Sequence, residues 1–253
     1  MLQKSAIALL LAAASVNAQA LTTGDIAFTA FNADEDGLSF VAFTDIAANT
    51  SIYFTDNEWT GAAFNTGESY NLWNSGAATI VAGTVVRFAN YDKATLAASV
   101  GNLSRVTVSG SANWGIANSN ETVYAYLGSG ATAPTTFLAA ITNGTFTADG
   151  SLAGTGLTEG VDAIRLNTNA PSATPDYGEY TGPRSGLASF AAYKPLVADA
   201  TKWNVDTING NYAATVPDTS AFTVAAVPEP DGYAMFLAGL GVMGVIARRR
   251  NAR

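Results

Sequence analysis

Two short stretches of the chain bring together residue types that could do chemistry. Asn32-Ala33-Asp34-Glu35-Asp36-Gly37 sets side-chain oxygens at alternate positions ahead of a glycine. The first half of a calcium loop gathers hard oxygen ligands around a tight turn in this way. The second half is missing, since the twelfth position is Phe43 where a helix-loop-helix site needs a bidentate glutamate. The stretch therefore reads first as a solvated turn in which Asp36-Gly37 supplies hairpin geometry. Its second reading is a weak calcium site of Asn32, Asp34 and Asp36. Asp56-Asn57-Glu58-Trp59 sets two carboxylates beside an aromatic ring, the components of a glycosidase. The same four residues read first as a turn with Trp59 packed on the sandwich edge. Trp73, Trp114 and Trp203 read as core or edge packing before they read as a sugar platform.

Composition removes most other chemistry. The 253 residues contain no histidine and no cysteine, which eliminates Ser-His and Cys-His nucleophile pairs, ordinary zinc sites and the usual general base near neutral pH. No Ser-x-x-Lys or Gly-x-Ser-x-Gly is present. The glycine turns Gly110-Ser-Ala-Asn-Trp-Gly115 and Gly128-Ser-Gly130 carry no phosphate-binding lysine and open no clear helix. No catalytic residue is assigned, and apart from the calcium reading no cofactor or metal is expected. All 20 acidic residues fall between Asp25 and Asp231, a span holding only seven basic ones. A body of that sign repels phosphate backbones and attracts cations, so nucleic acid is not an expected partner.

The two ends are built differently from the body. Met1 to Lys4 is a positive start, Ser5 to Ala14 an apolar run, and Ala18-Gln19-Ala20 a small-residue cleavage site. This is a signal peptide handled by the Sec export machinery and cut after Ala20, with Val16-Asn17-Ala18 as a second cleavage point. An uncleaved anchor is the alternative, but the run is shorter than the roughly 20 apolar residues a span prefers. At the other end Pro228-Glu229-Pro230 precedes an uncharged apolar stretch from Gly232 to Ala247, followed by Arg248-Arg249-Arg250 and Arg253. The stretch is just long enough for a single transmembrane helix. The arginines behind it hold the C-terminus in the cytoplasm and leave the body outside.

This tail resembles the PEP-CTERM sorting signal of Gram-negative bacteria, over Val227 to Arg253 and with all three parts in order. The resemblance implies an exosortase as partner. That enzyme would cut near Pro228-Glu229-Pro230, end the membrane anchorage, and leave the body at the cell surface or secreted. A plain tail anchor is the alternative, although it has no use for a Pro-Glu-Pro just outside the helix.

The elements that must position the candidate residues are strands. Ile26 to Phe31 and Leu38 to Phe43 alternate with a period of two across a polar turn. Further β-branched and aromatic runs follow at Thr50 to Thr55, Thr84 to Phe88, Arg105 to Ser109, Thr122 to Leu127, Thr136 to Ile141, Ala163 to Leu166 and Ala221 to Val224. Short helical stretches are expected at Lys93 to Val100 and Gly186 to Tyr193, and a long loop at Thr168 to Arg184. The fold class is all-β, two packed antiparallel sheets. Residues 24 to 88 are similar to the lamin-tail-like, immunoglobulin-type domains of bacterial surface proteins, which implies an immunoglobulin-like antiparallel β-sandwich used as an extracellular module. The expected organisation is a signal peptide at 1–20, an extracellular β-sandwich at 21–226 and the sorting signal at 227–253. The expected role is that of a non-enzymatic structural or adhesive protein of the surface or extracellular matrix. The alternative is a carbohydrate-binding module or glycoside hydrolase acting on extracellular polysaccharide.

Overall fold

The computed structural model describes residues 20–168 and 174–225. The apolar run read as a signal peptide, the Pro228-Glu229-Pro230 motif, the stretch read as a transmembrane helix and the arginine tail lie outside the described residues. Among the described residues no helix is long and apolar enough to cross a membrane.

The body is all-β. One six-stranded sheet has the order β12 (Trp203–Val205), β11 (Tyr177–Tyr180), β1 (Ile26–Asn32), β2 (Gly37–Ala42), β5 (Val85–Ala89), β6 (Ala97–Ala98). The other has the order β10 (Ala163–Arg165), β9 (Ala133–Thr142), β8 (Thr122–Gly130), β3 (Ser51–Thr55), β4 (Tyr70–Asn74), β7 (Asn102–Arg105). Pairing is antiparallel except between β10 and β9, which run parallel, so the second sheet is mixed. The Gly186 to Tyr193 expectation survives as a short turn of helix at Phe190–Tyr193, continued by α1 (Lys194–Val197). Lys93 to Val100 is not helical: it holds β6 instead.

The sheets pack face to face through aromatic rings. Alternation sends Phe28, Phe40 and Phe88 inward from the first sheet and Ile52, Phe54 and Trp73 inward from the second. Phe54 and Phe88 meet edge-on at 4.9 Å between centroids, and Phe40 meets Trp73 at 5.3 Å, within the favourable range for ring pairs. A second apolar cluster covers the outer face of the second sheet. There Tyr124, Tyr126 and Phe137 are roofed by Trp59 and Phe64 from the β3–β4 loop and by Phe146 and Leu157 from the β9–β10 connection. Both faces of this sheet are thus buried, which alternation in the strands alone does not reveal.

The first hairpin forms as its sequence predicts. Asn32 pairs with Gly37, and Asp36 takes the left-handed conformation at φ 55°, which aspartate tolerates better than most side chains. Strand β7 lies upstream of the expected Arg105 to Ser109, and Ala221 to Val224 supplies only one bridge, Val224 to Leu187. That last segment nevertheless closes the core. The Phe222 ring packs on Phe43, Tyr180 and Tyr193, and its N–H donates to the Gly83 carbonyl at 2.8 Å.

Gly83 sits at φ +91°, where a Cβ would collide with the Phe222 carbonyl and approach a Phe190 ring carbon to 2.7 Å. Gly83→Ala is therefore expected to cost about 2 kcal/mol or more. The check is a lowered urea midpoint together with earlier proteolysis of the 217–225 segment. An unchanged midpoint would show that this closure contributes little.

Candidate functional site

Along the inner face of the second sheet the apolar alternation ends in a polar residue on strand after strand. Ile52 and Phe54 lead to Asp56, Trp73 back to Asn71, Val123 back to Glu121, and Ile141 on to Asn143. Because β9, β8, β3 and β4 are consecutive antiparallel neighbours, these four residues arrive at one end of the sandwich. All four are buried. Tyr91, just past β5, reaches the same end from the first sheet. Its N–H donates to the Asp36 carbonyl at 3.0 Å, and the Arg105 guanidinium donates to its own carbonyl.

Hydrogen bonds hold this polar floor in place. Asp56 Oδ1 accepts from the N–H and the hydroxyl of Ser69, each at 2.9 Å. Glu121 accepts from the N–H groups of Ala117 at 2.9 Å and Thr122 at 3.1 Å. Asn143 accepts from the Glu121 N–H at 2.7 Å and donates to the Ala117 carbonyl at 3.2 Å. Loss of water disfavours the charged carboxylates, and their mutual repulsion adds to it. Asp56 is pushed up to about 8, by burial first and then by the charge of Glu68. Glu121 rises to about 9, by burial and then by Asp56, and Glu68 to about 7, by burial and then by Glu58. Burial and Asp56 also lift Tyr70 to about 12 and push the Tyr91 hydroxyl well above its ordinary value. Burial and mutual repulsion thus favour the uncharged forms of these groups, and Asp56 has no exposed surface.

The three residues of the calcium reading lie at this same end but face different partners. The Asn32 amide donates to the carbonyls of Tyr212 and Thr215, and Asp34 Oδ2 accepts from the Tyr212 N–H at 2.6 Å. Asp36 Oδ1 points the other way, accepting from the Ile116 N–H at 2.6 Å, and burial raises its carboxyl to about 6. Glu35, between them, pairs with Arg87. Asp34 instead joins two residues that sequence reading passed over, Asp176 and Asp206. Asp176 rises to about 7, through burial, its hydrogen bond with Asp206 and the charge of Asp34. Asp206 is held low despite burial by that bond and by the N–H groups of Ile208 and Gly210. Among the described residues no three acidic side chains are grouped closely enough to hold a metal ion by themselves.

The tryptophans divide three to one. The indole N–H groups of Trp59, Trp73 and Trp203 each donate at 2.8 Å to a backbone carbonyl, of Ala153, Val100 and Val197. Trp114 is 45% exposed, with the Arg105 guanidinium 4.4 Å from its ring centre.

Fold and tail together define a β-sandwich protein that ends in a sorting sequence. Residues 226–250 match the family model of the PEP-CTERM protein-sorting motif. The chain carries that motif, which implies export, recognition by an exosortase and transient C-terminal anchoring in the membrane before processing. Neither a curated protein nor a solved structure matches the chain.

Proposed function

We propose that the mature protein is a non-enzymatic structural or adhesive module of the cell surface or extracellular matrix, an immunoglobulin-like, lamin-tail-like sandwich delivered by exosortase processing. The observation that carries this reading is how close the core comes to the motif. The Ala225 N–H donates to the Leu187 carbonyl at 2.7 Å and Phe222 is 2% exposed, so among the described residues core contacts reach to just before the matched motif. A cut near Pro228-Glu229-Pro230 leaves every one of these contacts in place. The other end agrees with cleavage after Ala20, since Leu21 is already a core residue. Trp114 is the aromatic surface that such a module offers to extracellular polysaccharide.

The test is fractionation with intact-mass analysis in an exosortase-positive strain and in its exosortase deletion. The expected product in the first is a surface or secreted chain that starts at Leu21 and lacks the residues after about Pro230. In the second the tail stays on and the protein stays in the membrane fraction. Recovery from the surface of a chain that still ends in Arg253 would overturn the reading.

A further inference from the structure

Residues 207–216 form a strap that leaves β12 and returns past the first hairpin. It is pinned at both ends: the Asp206 N–H donates to the Tyr177 carbonyl at 2.9 Å, and the Asp218 N–H donates to the Glu179 carboxylate. Little apolar surface holds its middle, where Ile208 is 83% and Val216 68% exposed. Its one ring contact is Tyr212, stacked on Tyr177 with centroids 4.3 Å apart and planes 5° from parallel. A segment with so few buried apolar contacts opens locally more readily than the core does.

Polar side chains carry the rest of the hold, and most are acidic. Asp34 Oδ2 accepts from the Tyr212 N–H at 2.6 Å, and Asp206 accepts from the Ile208 and Gly210 N–H groups, each at 3.1 Å. The Asn32 amide donates to the Tyr212 and Thr215 carbonyls. Asp176, immediately before β11, is 1% exposed and hydrogen-bonded to Asp206, and its Oδ1 is buried without a donor. The three carboxyls meet at one ring: the Tyr212 hydroxyl bonds Asp206 at 3.4 Å and feels the charges of Asp206, Asp176 and Asp34. The groups facing Asp176 are therefore Asp34 from the first hairpin, Tyr177 from β11, and Asp206 and Tyr212 from the strap. Glu179 stands one step further on, bonded by the Tyr177 hydroxyl at 2.6 Å. No lysine or arginine answers the three aspartates: among the described residues the ion pairs lie elsewhere.

Two ionised carboxylates only accept, so a hydrogen bond between two carboxyls requires a proton on one of them. We propose that Asp176 and Asp206 share one proton, and that this proton is the catch of a pH-sensitive latch: with it the strap lies closed on the sandwich, and without it the strap opens. Despite its burial Asp206 is held low, by that bond and by its two backbone donors, so it is the ionised partner. Asp176 gives the proton up to water. Three like charges then surround Tyr212 with no cation among them, and opening lets water reach all three. Burial, the bond with Asp206 and the charge of Asp34 raise Asp176 from 3.8 to about 7 in the closed state. The hold it contributes is therefore complete below 3.8 and lost as pH rises through about 7.

The experiment is amide hydrogen exchange of the purified full-length chain, read by mass spectrometry at pH 5 and pH 8, with each rate divided by that of an unstructured chain at the same pH. Protection of residues 207–216 is expected to fall about tenfold or more between the two, with the strap exchanging ahead of β1 and β8 at both. In Asp176→Asn the side-chain amide donates to the Asp206 carboxylate at either pH, so the strap is expected to stay protected at pH 8 while the core strands still respond through Glu121. Should that variant fail to fold, the ring-proton shifts of Tyr177 and Tyr212 in the wild type decide. A joint change with its midpoint near 7 supports the latch, and shifts constant from pH 5 to 8 overturn it. The latch is also overturned if wild-type strap protection is equal at the two pH values, if the strap exchanges only together with the core strands, or if Asp176→Asn loosens as much as wild type.

Discussion

Raising the pH from about 5 to about 9 is expected to lower the stability of the folded chain by roughly 3–5 kcal/mol or more, and Glu121→Gln to remove the share of that slope that Glu121 contributes, leaving the shares of Asp56 and Glu68. Glu121 is 2% exposed, and its carboxyl is raised to about 9 by burial and by the charge of Asp56, against the opposing pull of the Ala117 and Thr122 N–H groups. The folded chain therefore keeps a proton that the unfolded chain gives up near the ordinary value of 4.5. Wherever the unfolded state binds fewer protons, stability falls as pH rises. The contribution is complete below about 4.5, declines through the interval, and is spent above about 9. Glutamine keeps a carbonyl for one of the two N–H donors and carries no charge to desolvate. The variant should be about 1 kcal/mol less stable than wild type near pH 5, for one hydrogen bond lost, and more stable near pH 9. Urea midpoints measured across this range should therefore cross. Parallel curves would mean that Glu121 ionises in the folded state at little cost.

Phe54→Ala is expected to remove about 3–5 kcal/mol, the range for deleting a buried aromatic side chain. The residue has no exposed surface, and its ring lies 4.9 Å from Phe88, 5.6 Å from Phe40 and 6.2 Å from Phe28. Among the described residues it is the one ring of the second sheet paired with three rings of the first. A cavity there cannot be filled by its strand, because Ile52 and Asp56, its neighbours on the same face, are held at either side. The urea midpoint should drop while the slope of the unfolding curve stays the same. For a domain whose whole stability is about 5–15 kcal/mol, the change approaches the limit of what the fold tolerates. A loss under about 1 kcal/mol, well short of the cavity range, would show that the two sheets re-pack around the gap.

Much of the architecture was legible from alternation. Ile26 to Phe31, Leu38 to Phe43, Thr50 to Thr55 and Thr122 to Leu127 became β1, β2, β3 and β8, because β-branched and aromatic residues at every second position fit a pleated surface buried on one side. The omissions have physical causes. Tyr70-Asn-Leu-Trp-Asn74 became β4 although asparagine disfavours strands, since Asn71 faces the buried polar floor and not solvent. Tyr177 to Tyr180 became β11 inside a stretch read as a loop, where pairing with β1 outweighed the local proline and glycine signal. Ala97 and Ala98 became β6 through a neighbour on β5, against the helical preference of alanine.

The candidate site divides along the same line. Asp56 and Glu58 could be singled out as neighbours in sequence, and the tail from Pro228 to Arg250 could be read outright, because an export and sorting address is a linear pattern of charge, length and hydropathy that works before folding. The company that Asp56 keeps was beyond reach. Period two assigns a residue to a face without saying which strands become neighbours, and β3 meets β8 across some seventy intervening residues. Only that pairing brings Glu121 to Asp56, buries both, and raises both carboxyls. The sequence by itself determined the acidity of the body, its all-β class and its sorting address. The tertiary structure decided which carboxylates lose their water and whose charge they then feel, because desolvation and Coulomb repulsion depend on distances in space.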